Sequence, residues 1–173
     1  MSNYNFVKLK ETDAVAIQKV MSQAFKMAYF SEREEQEEQQ YIKKLINSDN
    51  TEFYGIKDNN QLIAAAYYLP LDNGVYELSR IMVMPSYQKK KIGSFLLSET
   101  IKKLKTVDKV RILFLECQKN VMNFYKSNGF QEVTADNIFY TEPAFKQKQK
   151  SLNMYVNEEN ISANSTRIMG RAI

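Results

Sequence analysis

The chain has 173 residues, 44% of them hydrophobic and 12% aromatic, and its 24 basic and 20 acidic side chains leave a net charge of +4. A chain of this size buries about two-thirds of the surface its unfolded form exposes, so one domain with a core of its own is expected and no staples are required. A single cysteine, Cys117, excludes an internal disulfide, and the lack of any histidine excludes histidine triads, histidine general bases and zinc–histidine sites. No basic-apolar-small leader pattern is visible, which with the lone cysteine points to a reducing cytoplasm. The apolar runs are far shorter than the roughly 20 residues of a spanning helix, so no membrane is expected. Basic residues are scattered except at Lys89-Lys90-Lys91 and at Lys146, Lys148 and Lys150, and no recognition helix, ribonucleoprotein or finger pattern accompanies them, so nucleic acid is not an expected partner.

Tyr4 to Leu9 alternates like a short strand. Thr12 is a candidate N-cap for a helix from Asp13 to Ala28, whose stripe is Val15, Ile17, Val20, Met21, Ala24 and Phe25. A second helix follows Ser31, with the acidic opening Glu32 to Glu38 and an apolar face of Tyr41, Ile42, Leu45 and Ile46. Acids there suit a helix dipole. Glu52 to Lys57 and Leu62 to Leu69 read as a hairpin around Asp58-Asn59-Asn60-Gln61, and Asp72-Asn73-Gly74 turns the chain into a strand from Val75 to Val83. After a turn comes a helix from Phe95 to Leu104, then a continuously apolar strand from Lys109 to Cys117, parallel to the strand ending at Val83 because a helix joins them. A short helix through Phe124 and Tyr125 stops at Asn128-Gly129, with Gly129 suited to the left-handed position. Phe130 to Val133 and Ser151 to Val156 are the last strand candidates, and residues 157–173 read as a tail or flexible arm.

The segment from Val83 to Ser94 is a strand-to-helix turn. Such a turn aims backbone N–H groups and the positive end of a helix dipole at one point, the arrangement that a phosphate or pyrophosphate needs.

Two motifs carry a family resemblance. Val83-Met84-Pro85 followed by Gln88-Lys89-Lys90-Lys91-Ile92-Gly93 is similar to a Val-x-Pro strand end and a Gln/Arg-x-x-Gly-x-Gly/Ala turn, with Lys91 at the usual first glycine. Phe124-Tyr125-Lys126-Ser127-Asn128-Gly129-Phe130 completes an aromatic-Tyr-x-x-x-Gly-Phe motif. With the element order, these residues resemble the GCN5-related N-acetyltransferase (GNAT) superfamily over residues 4–156. Glu77-Leu78-Ser79-Arg80-Ile81, Phe124 to Phe130 and Phe139-Tyr140 resemble more closely the bacterial spermidine/spermine-type enzymes. The resemblance implies an α/β (α+β) fold: a mixed central sheet of six to seven strands, a parallel pair that splays after the strands ending at Val83 and Cys117, and about four flanking helices. It also implies a domain over 1–156 followed by the arm 157–173.

The resemblance further implies acetyl-coenzyme A as co-substrate, without a metal, and a small-molecule amine acceptor such as a polyamine, in a monomer or homodimer. Gln88, Lys89, Lys90, Lys91, Ile92, Gly93 and Ser94 would hold the pyrophosphate. The strand edge at Ile81, Met82 and Val83 would pair with the pantetheine arm, and Gln118 or Asn120 would take the role of the family's arm-holding asparagine. Without histidine the base is a carboxylate, Glu77 first and Glu116 second; either could equally be a solvent-facing strand residue. Tyr125 would protonate the leaving sulfur, or else pack as an inner aromatic. Cys117 lies in an apolar run and reads as core. The acidic run at 32–38 suits a polycation or is a solvated helix start. Other readings are acetylation of a protein N-terminus, a lysine or an antibiotic, and a non-catalytic acyl-coenzyme A sensor.

Overall fold

The structure, a computed structural model, describes residues 4–27, 31–48, 51–72, 74–106, 110–134, 143, 146 and 166–173. In chain order its elements are β1 (Tyr4–Lys8), α1 (Ala14–Phe25), α2 (Glu32–Ile46), β2 (Glu52–Asp58), β3 (Gln61–Asp72), β4 (Val75–Val83), α3 (Ile92–Leu104), β5 (Ile112–Gln118), α4 (Met122–Ser127), β6 (Gln131–Glu132) and β7 (Thr166–Ala172). The strands run β1-β2-β3-β4-β5-β7-β6 in a mixed seven-stranded sheet. With four helices among the described elements and the parallel pair β4–β5, this is the fold class expected from the sequence. No helix among the described residues is long and apolar enough to cross a membrane. Two compact units share the chain: Met1–Leu69 with Ser79–Lys103, and Pro70–Leu78 with Leu104–Ile173.

In the first unit α1 buries Ala14, Ile17, Val20 and Met21, spaced to form one stripe. A 3-10 turn over Glu11–Asp13 precedes it, so the cap expected at Thr12 is displaced. Asp13 is placed there instead, its carboxylate accepting from the Lys10 N–H (2.9 Å) and pairing with Lys57 (3.0 Å). Lys26, at φ 53°, ends the helix before the expected Ala28. Ser31 caps α2, its hydroxyl accepting from the Glu34 N–H at 3.3 Å, and Glu32, Glu34 and Glu35 occupy the first turn. β2 and β3 pair antiparallel around Asn59 and Asn60, at φ 45° and 69°, the left-handed pair that a two-residue hairpin needs.

In the second unit the start of β4 runs parallel to β5, Val75 opposite Ile112 through Leu78 opposite Leu115. Val75, Ile112, Phe114 and Ile168 form a buried cluster, with Val133 packed against it. β5 begins at Ile112 rather than Lys109, and β6 is shorter than the expected Phe130–Val133 strand. The strand expected over Ser151–Val156 lies outside the described residues.

The end of the chain differs from expectation. Thr166–Ala172, read from the sequence as part of an arm, is β7, antiparallel to β5 along its whole length and paired to β6 on its other side. Its sequence shows little strand pattern because Gly170 and two arginines surround a single adjacent pair of large apolar residues. Position between two strands supplies what local propensity lacks. Ile168 and Met169 are buried there.

Met169→Ala is therefore expected to destabilise the protein by about 3 kcal/mol, the usual loss for a large aliphatic side chain cut back in a filled core. Deleting residues 166–173 is expected to lower the melting temperature sharply; a flexible arm would leave the urea midpoint unchanged in both cases.

Candidate functional site

In the first unit β4 ends at Val83, but Met84 still donates its N–H to the Ile63 carbonyl of β3 (2.9 Å), which fixes where the turn begins. Pro85–Tyr87 makes one 3-10 turn, with the Tyr87 N–H on the Met84 carbonyl at 2.8 Å. Gln88 folds back so that its side-chain amide donates to the Val83 carbonyl at 3.0 Å. Gln88 thus braces the turn internally. Tyr87 donates its hydroxyl to Asp58 on β2 (3.2 Å) and takes the Lys90 ammonium over its ring at 5.2 Å. Lys89 and Lys91 are both left-handed, at φ 59° and 63°, and Lys90 between them is not. Alternating handedness of this kind curves successive N–H groups around a concave anion site. α3 starts directly after it, the Lys91 carbonyl accepting the first helical bond from Phe95 (2.9 Å). The three lysines are exposed, Ile92 is buried, and Gly93 and Ser94 lie in the first helical turn, where N–H groups have no acceptor within the helix. α3 begins at Ile92 rather than Phe95, so the expected anion site includes the helix start itself.

In the second unit α4 carries Tyr125, and its ending explains the Tyr-x-x-x-Gly-Phe spacing. The Phe130 N–H bonds back to the Tyr125 carbonyl (3.1 Å), the Gly129 N–H bonds to that of Lys126 (3.0 Å), and Gly129 sits at φ +83°. These bonds make a Schellman cap. The hydrophobic contact that goes with it is Tyr125 against Phe130, edge to face at 5.8 Å, with Phe124 at 5.0 Å on the other side. Arg171 of β7 lies over Gly129, close enough to crowd a Cβ there, and donates to the Asn128 carbonyl. Burial pushes the Tyr125 phenol up to about 12, with a further contribution from Cys117.

The other candidates fall as follows. Glu77 is half-buried on β4, opposite Phe114, and Glu116 is exposed on β5, opposite Ile168. Gln118 precedes the 3-10 turn Lys119–Val121, and Asn120 lies within it, both exposed. Cys117 is buried as expected of a core residue. On β4 beyond Leu78, Ile81 and Val83 are half-buried while Met82 is buried. The parallel ladder with β5 ends at Leu78 and Leu115 although both strands continue.

The first unit also contains a cleft that the motif search missed. The cleft lies among α1, α2, β2, β3 and β4, has room for about one water, and is lined by Met21, Glu38, Tyr41, Tyr67, Arg80 and Met82 among others. A signal was present. Arg80 falls in phase with Met82 on β4, and Glu38 shares a helical stripe with Tyr41, Ile42 and Leu45, so each puts a charge where periodicity calls for an apolar residue.

Residues 18–130 match the model of the acetyltransferase (GNAT) family. The chain belongs to that family. Members use acetyl-coenzyme A, and this GNAT chain is an acyltransferase acting on amines. No curated protein sequence matches it. Among solved structures, the fold is similar to the PaiA N-acetyltransferase of Thermoplasma acidophilum in complex with coenzyme A, at 20% identity and TM-score 0.70 over 99% of both chains. It is similar to a ribosomal-protein alanine N-acetyltransferase of Escherichia coli at 20% identity and TM-score 0.68, covering 98% of this chain and 94% of that one. It is also similar to a variant of the SpeG spermidine N-acetyltransferase of Vibrio cholerae at 15% identity and TM-score 0.69, covering 98% and 93%. In a GNAT enzyme the turn from Gln88 to Ser94 fits a pyrophosphate: it offers a concave run of N–H groups, a helix start and three exposed cations.

Lys91→Gly is expected to stabilise the protein by about 1 kcal/mol, because a left-handed lysine carries a Cβ penalty that glycine lacks. Lys91→Ala, with the same Cβ, is expected to show no such gain in urea unfolding. A second expectation concerns alkaline pH. An unfolded chain ionises its tyrosine near 10, whereas folding holds Tyr125 back to about 12. Its contribution to stability is thus intact below about pH 10 and declines as pH rises toward 12. Urea midpoints measured across this range are expected to fall less steeply for Tyr125→Phe than for the wild type.

Proposed function

We propose that the protein is an acetyl-coenzyme A-dependent N-acetyltransferase that transfers the acetyl group to a primary amine by direct attack, without a covalent enzyme intermediate. Tyr125 carries this reading. It is fixed by the cap at Gly129 and held protonated far above neutral pH, so its hydroxyl is a hydrogen-bond donor throughout the working range. The turn from Gln88 to Ser94 binds the pyrophosphate. The backbone at Ile81, Met82 and Val83 pairs with the pantetheine arm as an added strand, with Gln118 or Asn120 holding an amide of that arm.

Glu77 removes the proton that the acceptor's ammonium must lose, directly or through a water, because an alkylamine of reference pKa about 10.4 reaches the site mostly charged. Glu116 is the alternative base. As the amine nitrogen bonds to the thioester carbonyl carbon and the C–S bond breaks, Tyr125 donates to the departing sulfur. The acceptor is a small primary amine that enters as its cation; polyamines are one such class, supported by the acidic opening of α2. A free, buried Cys117 supports a cytoplasmic setting.

A thiol-release assay with acetyl-coenzyme A and a panel of amines tests the proposal. Tyr125→Phe is expected to lower kcat by roughly 10² to 10⁴, with coenzyme A affinity retained. Glu77→Gln is expected to lower kcat/KM at every pH. Release by no amine in the panel, together with intact coenzyme A binding, would point to an acyl-coenzyme A sensor.

A further inference from the structure

The turn after β4 holds two lysines in the left-handed region, Lys89 at φ 59° and Lys91 at φ 63°. Residues strained in this way keep their conformation only where the surroundings over-determine it. Gln88 braces the turn from within, on the Val83 carbonyl. Tyr87 ties it to another strand: its hydroxyl donates to Oδ2 of Asp58 at 3.2 Å, and Asp58 is the last residue of β2. The same ring carries the Lys90 ammonium at 5.2 Å, so the residue between the two left-handed lysines rests on the phenol that Asp58 holds. Oδ1 of Asp58 is buried without a hydrogen-bond partner among the described residues, so losing Tyr87 at Oδ2 as well would leave a part-buried carboxylate poorly compensated. On charge alone Asp58 is out of place, because a carboxylate beside a turn of three exposed lysines repels any phosphate bound there.

We propose that Tyr87 and Asp58 are positioning residues for the pyrophosphate of acetyl-coenzyme A: acting through the turn backbone, their hydrogen bond sets the curvature in which Lys89, Lys90 and Lys91 present their N–H groups. The inference rests on the reading of Gln88 to Ser94 as the pyrophosphate site and adds the part of the first unit that shapes it. Asp58 serves through its acceptor oxygen, while its charge opposes the ligand. Curvature and charge therefore make opposite predictions for the loss of this side chain.

The test is calorimetric titration of coenzyme A into the full chain and its variants, with the melting temperature of each free variant measured alongside. Asp58→Ala removes a negative charge, which on charge alone would tighten binding; it is expected to weaken binding by about fivefold to twentyfold, within the coupling range for residues in contact. Tyr87→Phe keeps the ring under Lys90 and is expected to lose about as much. The double variant is expected to lose no more than either single one, and Asp58→Asn, which keeps an acceptor without the charge, to bind at least as tightly as the wild type. In acetyl transfer the loss in Tyr87→Phe is expected in the KM for acetyl-coenzyme A, with kcat retained. Tighter binding by Asp58→Ala overturns the inference, as do losses that add in the double variant. An unchanged Kd in Tyr87→Phe overturns it too, and with a lowered melting temperature shows a brace for stability alone. Should Asp58→Ala not fold, Tyr87→Phe decides by itself. Gly93→Asp tests the parent reading separately: it sets a carboxylate at the start of α3, and unchanged coenzyme A affinity in that folded variant places the pyrophosphate elsewhere, so that both readings of the turn fail.

Discussion

Backbone hydrogen bonding sets the terms for this fold, and its decisive point is where the parallel ladder between β4 and β5 stops. Four residues of each strand pair, from Val75 to Leu78 and from Ile112 to Leu115, and then the ladder ends although both strands run on. β5 keeps its other edge occupied to the last residue, since Glu116, Cys117 and Gln118 pair with Ile168, Arg167 and Thr166. β4 continues to Val83 with no described β5 partner past Leu78. Polar backbone groups on a strand require partners of some kind, and in the proposed function the pantetheine arm would be such a partner. On that proposal, ending the ladder early builds a binding edge from ordinary strand residues.

Local backbone conformation then places chemistry at the ends of the elements. The turn after β4 uses two left-handed lysines where glycines would be easier, which retains a cation at each position and accepts Cβ strain in return. Bracing by Gln88 on Val83 and by Tyr87 on Asp58 is what over-determines that strained turn. The end of α4 follows the opposite logic. Gly129 removes strain, and Arg171 fills the space that a side chain would have taken, with a positive charge at the C-terminal end of the helix, where a dipole favours it.

Much of this was legible in the residues. β4 was bounded correctly from Val75 to Val83, and the hairpin turn, the parallel relation of β4 and β5 and the left-handed Gly129 followed from turn chemistry and periodicity. What escaped was decided by distant partners. β7 has no pattern of its own and exists because β5 and β6 flank it. The cap of α1 lies at Asp13, which the 3-10 turn brings there and which pairs with Lys57 on the distant β2. Arg80 and Glu38 were visible as breaks in an apolar phase, but only the fold shows that both breaks face one cleft.

The proton balance bears on the role proposed for Tyr125. Burial holds the phenol at about 12, above the reference thiol at about 8.5, so it gives up its proton less readily than an ordinary thiol does. Such a phenol is a poor acid for a finished thiolate and a good hydrogen-bond donor to a sulfur that is only partly charged. Its advantage therefore falls in the transition state, where charge is developing and where stabilisation raises kcat. The same burial that weakens Tyr125 as an acid keeps it from ionising near neutral pH. In the proposed mechanism the proton returned to the thiolate would then come from solvent after bond cleavage, with the buried Tyr125 hydroxyl acting as a hydrogen-bond donor.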